Sequence, residues 1–210
     1  SVPEYYRTRK DIIAAMTAAM TEERAREARA AYNGRPYSDD LDAILNRELA
    51  DIEGYWELRF ALDLAPTLAK ARELARSYNG SRALNSRLNS LETDYQNART
   101  SMAAAMTTDE ANKARAAYTR DFGKDDLDAF LTAELADIAK LDQHRAELKS
   151  SATLASAHEL VRTAAGVRLQ RLLTTLEADL ENARRSMAAA MTADEANKAR
   201  AAYTRDFGKD

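Results

Sequence analysis

The side chains best suited to acid–base or metal chemistry near neutral pH are two histidines in the middle of the chain. His144 and His158 are the only histidines, and the chain has no cysteine. A di-iron helical bundle needs Glu-x-x-His motifs, whereas Leu141 and Ala155 stand where those glutamates would be. No cysteine–histidine cluster supports zinc. The sequence therefore predicts no metal site, and we interpret both histidines as surface or boundary residues.

A group of aspartates between residues 121 and 128 is the next candidate for chemistry. Asp121-Phe122-Gly123 spells the triplet that holds magnesium in protein kinases, but no Gly-rich loop or His-Arg-Asp motif accompanies it. Calcium loops place oxygen ligands at alternate positions around a central glycine, which Asp125, Asp126 and Asp128 do not reproduce. We interpret these carboxylates as a helix N-cap cluster, and the phenylalanine as a plug for a helix end.

No hydrolase or nucleotide-binding motif is present. The chain lacks a Gly-x-Ser-x-Gly elbow and lacks a Gly-rich phosphate loop after a strand. An enzyme concentrates perturbed polar groups in one place, whereas here the polar residues recur along the chain. The sequence predicts no catalysis, no catalytic residue and no cofactor, and an enzyme is the most distant of the functions considered.

Aromatic side chains are concentrated near the start of the chain. The corresponding later positions hold mostly aliphatic and acidic residues. One interpretation is a terminal repeat that packs its own core more heavily. The other is a docking patch for a protein, because Tyr and Trp are favoured at interface centres. The candidate interaction residues are Tyr5, Tyr6, Tyr55, Trp56 and Phe60.

Composition narrows the classes of protein. The 210 residues are 45% hydrophobic and 31% charged, with three prolines and six glycines, which favours a nearly all-helical fold. The net charge of −3 gives no general attraction to nucleic acid, and the apolar stretches are too short for membrane insertion. The absence of cysteine leaves the compartment open, with a lean toward an extracellular or cell-surface location.

An internal repeat organises the sequence. Residues 97–125 return at 182–210 with 27 of 29 positions identical, and a fainter copy precedes the first by about 86 residues. Such periodicity is typical of repeat proteins. It predicts a first, aromatic-rich repeat at 1–80, a second at 81–166, and a partial third repeat at 167–210 that acts as a terminal capping helix.

The apolar spacing predicts how each repeat folds. A heptad seam from Leu84 to Ala105 predicts a long helix, continued to Arg120 because neither Gly nor Pro interrupts it. A capping box at Thr107 and Glu110 offers the alternative of a restart. Pro66 predicts a break in the return leg. We expect long antiparallel helices in an elongated bundle; the alternative is a three-helix repeat similar in architecture to spectrin.

These observations favour a structural or interaction protein. We expect a spacer, a scaffold or a self-assembling subunit that buries an apolar seam between successive helices, with head-to-tail self-association through the near-identical copies. The alternative is a protein-binding module that uses the aromatic cluster of the first repeat.

Overall fold

The chain is all-helical in the part that the computed structural model describes, namely residues 4–32, 34, 36–78 and 81–209, with the backbone alone for 4–7. Ten helices and no strand occur there. They are α1 Glu4–Ala18, α2 Glu22–Ala30, α3 Ser38–Asp63, α4 Leu68–Ser77, α5 Arg82–Ala104, α6 Thr108–Ala117, α7 Lys124–Lys149, α8 Leu154–Ala164, α9 Val167–Ala189 and α10 Ala193–Ala202. None of these helices has the length and apolar character needed to cross a membrane.

Long and short helices alternate, and a threonine begins each short one. Each threonine hydroxyl accepts a hydrogen bond from the backbone N–H three residues later, which satisfies a donor that the first helical turn leaves unpaired. The capping threonines are Thr21, Thr67, Thr107, Thr153 and Thr192. Beside Thr107, Glu110 Oε2 accepts from the backbone N–H of Met106, the residue before the cap, at 2.8 Å. The predicted threonine cap is confirmed, and the Glu110 carboxylate reaches one residue further back than in a standard capping box.

The predicted continuous helix from Leu84 to Arg120 is wrong. The α5 helix ends at Ala104, and α6 begins at Thr108. The Ala105 N–H bonds to the Met102 carbonyl, three residues back, and the capping box then starts a new helix. Local hydrogen bonds therefore end this helix without glycine or proline.

The predicted break at Pro66 is confirmed, because α3 ends at Asp63 and α4 begins at Leu68. A corresponding break separates α7, which ends at Lys149, from α8, which begins at Leu154. The second break spans Ala152, which lies 86 positions after Pro66, and it forms without a proline.

One compact unit comprises residues 1–99 and 117–128. Its first core joins α1, α2 and α3, which contact one another. Apolar residues at helical spacing supply this core, which is why the three helices bury one face each. Its members are Ile12, Met16, Ala25, Tyr32, Leu41, Leu45 and Ile52.

The other compact unit comprises residues 100–116 and 129–210. The main core lies between α7, α8 and α9 and is built largely from leucines, among them Leu141, Leu148, Leu169, Leu173, Leu176 and Leu180. The α10 helix returns along α9, since Arg205 pairs with Asp179 at 2.8 Å and Phe207 enters the leucine cluster.

A tyrosine closes the turn after three of the short helices. The Tyr32 hydroxyl donates to the Pro36 carbonyl at 2.7 Å, and the Tyr118 hydroxyl donates to the Phe122 carbonyl at 2.6 Å. Tyr203 donates to the Phe207 carbonyl in the same way. Phe122 is fully buried, as expected of a plug at a helix end. These tyrosines therefore have a structural role at the turns.

Candidate functional site

The predicted aromatic cluster lies on the second half of α3. Trp56 is 43% exposed and Phe60 is 62% exposed, so neither is a core residue. The rings of Tyr55 and Trp56 meet edge to face, with centroids 5.4 Å apart. The side chains of Tyr5 and Tyr6 lie outside the described residues. The structure thus brings three of the five predicted residues together at the surface; we call Tyr55, Trp56 and Phe60 the aromatic patch.

An arginine orders the aromatic patch. The Arg59 guanidinium lies over all three rings, 4.6 Å from the Trp56 centroid, 4.8 Å from that of Phe60 and 5.7 Å from that of Tyr55. The Trp56 Nε1–H also donates to the Met20 carbonyl at 3.0 Å. Cation–π contacts and this hydrogen bond hold the rings in place while leaving much of their area accessible.

Sequence reasoning missed a buried arginine at the start of α9. The Arg168 side chain is 1% exposed and pairs with Glu134 at 2.7 Å and Asp137 at 2.9 Å. Its guanidinium also donates to the carbonyls at the end of α5, namely those of Met102, Ala103 and Ala105. We call Arg168, Glu134 and Asp137 the closed clamp.

The closed clamp compensates both the unpaired carbonyls at a helix end and the charge of a buried arginine. The last carbonyls of a helix have no partner within the helix and form the negative end of its dipole. A buried guanidinium, in turn, needs compensation for the water that it loses. Arg168 meets both needs, because its planar fork reaches two carboxylates and three backbone carbonyls together.

The same three residue types recur 86 positions earlier, as Glu48, Asp51 and Arg82. Asp51 accepts from the Arg82 backbone N–H at 3.0 Å, as Asp137 does from that of Arg168. The Arg82 guanidinium pairs with Glu48, but its side chain is 60% exposed and donates to no helix end among the described residues. A cavity of about 520 Å³ adjoins these side chains. We call this set the open clamp.

The duplicated sequence meets two different environments. Met102, Ala105 and Ala111 are buried, the two alanines in a cluster with Ile138 of α7. Their identical counterparts Met187, Ala190 and Ala196 are only partly buried. Met191 is 90% exposed, whereas Met106 is 37% exposed. We call Met187, Ala190 and Ala196 the open repeat face.

The histidines and carboxylates form no metal centre in the described residues, which contain no group of three or more ligands placed to hold an ion. His158 Nε2 lies 2.5 Å from Glu177 Oε1, and His144 Nδ1 lies 3.7 Å from Glu147 Oε2. Each histidine therefore has one carboxylate neighbour and no second ligand of its own.

The closed clamp makes stability depend on pH. Burial alone would raise the pKa of Asp137, but hydrogen bonds from the Arg168 side chain and from the Arg168 and Val167 backbone bring that pKa below its usual value. Because the folded pKa is the lower one, this stabilisation is complete above the unfolded pKa of about 4 and is lost as the pH falls through the folded pKa.

We therefore expect the urea midpoint to fall on acidification below about pH 4, and to fall less steeply in Asp137→Asn. The measurement is urea denaturation, followed by circular dichroism, at a series of pH values. Equal pH dependence in the two proteins would show that Asp137 does not contribute.

No protein-family model, no curated protein and no solved structure matches this chain.

Proposed function

We propose that this chain is a structural or interaction protein, a helical-repeat spacer or scaffold that joins protein chains through uncovered repeat faces and catalyses no reaction. Self-association of the chain, head to tail, is the form of this function that we favour. The observation that carries the proposal is the open repeat face: the sequence that is buried at Met102, Ala105 and Ala111 is left partly uncovered at its second occurrence.

A repeat architecture of about 86 residues is part of the proposal. It is supported by the helix lengths, since α3 and α7 both have 26 residues and begin 86 positions apart. The α5 and α9 helices both have 23 residues. Within this architecture the units at 1–80, 81–166 and 167–210 stay predictions. Each repeat would contribute two long helices, each followed by a short helix with a threonine cap.

The open repeat face has the chemistry of an interface. Small alanines allow a second helix to approach closely, and methionine fills irregular gaps between packed side chains. The covered occurrence supports this use, because Ala105 and Ala111 pack against Ile138, Leu131 and Leu135 there. An apolar face left uncovered marks a docking surface.

Light scattering of the purified chain tests the proposal. We expect the average molar mass to rise with concentration, because burial of the open repeat face stabilises the associated state. Ala196→Glu should return the protein to a monomer, since it places a charge in the middle of that face. A molar mass that stays at the monomer value across a wide concentration range would rule out the self-assembling form.

A second candidate function, a protein-binding module that uses the aromatic patch, is favoured by the exposure of Trp56 and Phe60.

Trp56→Ala should lower the free energy of unfolding by only about 1–2 kcal/mol, because part of the ring is already solvated. The matched control is Leu62→Ala in the same helix, which is fully buried and should cost about 2–5 kcal/mol. Chemical denaturation measures both. A loss at Trp56 as large as that at Leu62 would make the ring a core residue and would count against a docking patch.

A further inference from the structure

We infer that two copies of this chain join by inserting Arg82 of one copy into the uncapped end of α9 in the other; this inference rests on the proposed self-association. The end of α9 supplies the socket, namely the carbonyls of Met187, Ala188 and Ala190. The open clamp of the second copy supplies the guanidinium.

The closed clamp shows the chemistry of such a joint. Arg168 donates to the carbonyls of Met102, Ala103 and Ala105 at 2.7–3.2 Å. The segment that carries these carbonyls has the same sequence at the end of α9, where Ala190 N–H bonds to the Met187 carbonyl as Ala105 N–H bonds to that of Met102. The socket therefore has the local geometry that receives an arginine elsewhere in the chain.

The socket at α9 lacks its arginine. Among the described residues no side chain donates to the carbonyls of Met187, Ala188 or Ala190. The last carbonyls of a helix carry the negative end of the helix dipole, and an approaching cation is favoured where no side chain caps them. The open repeat face beside the socket, at Ala190 and Ala196, gives the incoming chain apolar surface to bury.

The open clamp has the N–H donors that the socket lacks. The Arg82 guanidinium has five N–H donors, and in the described part of the chain its side-chain partner is Glu48. Its two carboxylate neighbours are already in place, as Glu134 and Asp137 are for Arg168. The adjoining cavity of about 520 Å³ leaves room for a turn of helix backbone. A guanidinium with free donors is thus paired with carbonyls that no side chain caps.

A joint of this kind is heterologous, because the socket and the arginine are different surfaces of the same chain. Such contacts link copies head to tail instead of closing a symmetric pair. In such an assembly the copy at one end keeps an empty socket, and the copy at the other end keeps an unused arginine. A variant without the socket and a variant without the arginine should therefore complement each other.

The test uses light scattering on two full-length variants. Arg82→Met removes the donor, and Ala190→Arg places a like charge at the socket. We expect each variant alone to associate at least tenfold more weakly than the unmodified chain. An equimolar mixture of the two should form a heterodimer and nothing larger, because one functional socket and one functional arginine remain in the mixture.

Controls separate the joint from folding and from the broader proposal. Circular dichroism melting checks that both variants fold, and Arg82→Lys keeps the pairing with Glu48 while losing the planar fork, so it should still weaken association. Arg185→Met removes an exposed arginine of α9 and should change nothing. If the unmodified chain associates but the variants do so equally well, or if their mixture fails to form the heterodimer, this joint is wrong and self-association survives. If the unmodified chain never associates, the self-assembling form itself fails.

Discussion

Replacing Arg168 by methionine should lower the free energy of unfolding by about 3–5 kcal/mol. The substitution keeps a long side chain but leaves Glu134 and Asp137 without their cation, at side-chain exposures of 19% and 14%. It also leaves carbonyls at the end of α5 without a donor. Each loss leaves a buried polar group without a partner, and water cannot easily replace that partner. The cost therefore exceeds that of losing an exposed ion pair. Urea denaturation followed by circular dichroism measures it.

Two further variants identify the cause. Arg171→Met removes an exposed arginine three residues later that also donates to the Ala103 carbonyl, at 3.0 Å, and should cost about 1 kcal/mol or less. Adding Glu134→Gln to Arg168→Met should recover part of the loss, because it removes one uncompensated carboxylate. A cost at Arg168 no larger than that at Arg171 would contradict a role for burial.

Placing glutamate at Ala111 should be nearly as damaging, at about 4 kcal/mol. Ala111 is fully buried against Ile138, with Leu131 and Leu135 beside it. The longer side chain overfills this contact, and its carboxylate has no cation in the cluster to compensate for the loss of water. Thermal melting and urea denaturation of the full-length protein measure the change.

The matched variant Ala196→Glu makes the same substitution in the same local sequence. Residues 194–202 repeat residues 109–117 without a difference, so helix propensity and capping cancel between the two variants. Because Ala196 is only partly buried, we expect a loss of about 0.5 kcal/mol or less, together with the loss of self-association. Equal destabilisation at Ala111 and Ala196 would mean that the open repeat face is packed in the isolated chain.

Of the two helix breaks, one follows from local sequence and the other contradicts the prediction made from it. The break at Pro66 was predicted because proline lacks a donor and clashes with the preceding turn. The break after Ala104 contradicts the predicted continuous helix and follows the alternative, a restart at Thr107 and Glu110. The absence of Gly and Pro does not guarantee a continuous helix, because side-chain hydrogen bonds to the backbone can end a helix by themselves.

The candidate site was only partly accessible from sequence. The aromatic residues were noticed, but whether Trp56 faced the core or solvent depends on contacts with Met20, which lies 36 positions away. The clamps were missed, although Glu-Leu-Ala-Asp occurs both at 48–51 and at 134–137 and an arginine follows at the same distance. That recurrence was the available signal. An arginine in the first turn of a helix is otherwise expected to be solvated.

Local sequence specifies the helical segments, their threonine caps and the tyrosines that close the turns, because these depend on hydrogen bonds and side-chain spacing within a few residues. Tertiary structure alone decided which faces are buried. Met102 and Met187 lie in nearly identical local sequences, yet one is buried and the other is partly open, because burial requires helices supplied from distant positions. Arg168 likewise has its role only because its carboxylates and carbonyls come from 31 to 66 residues away.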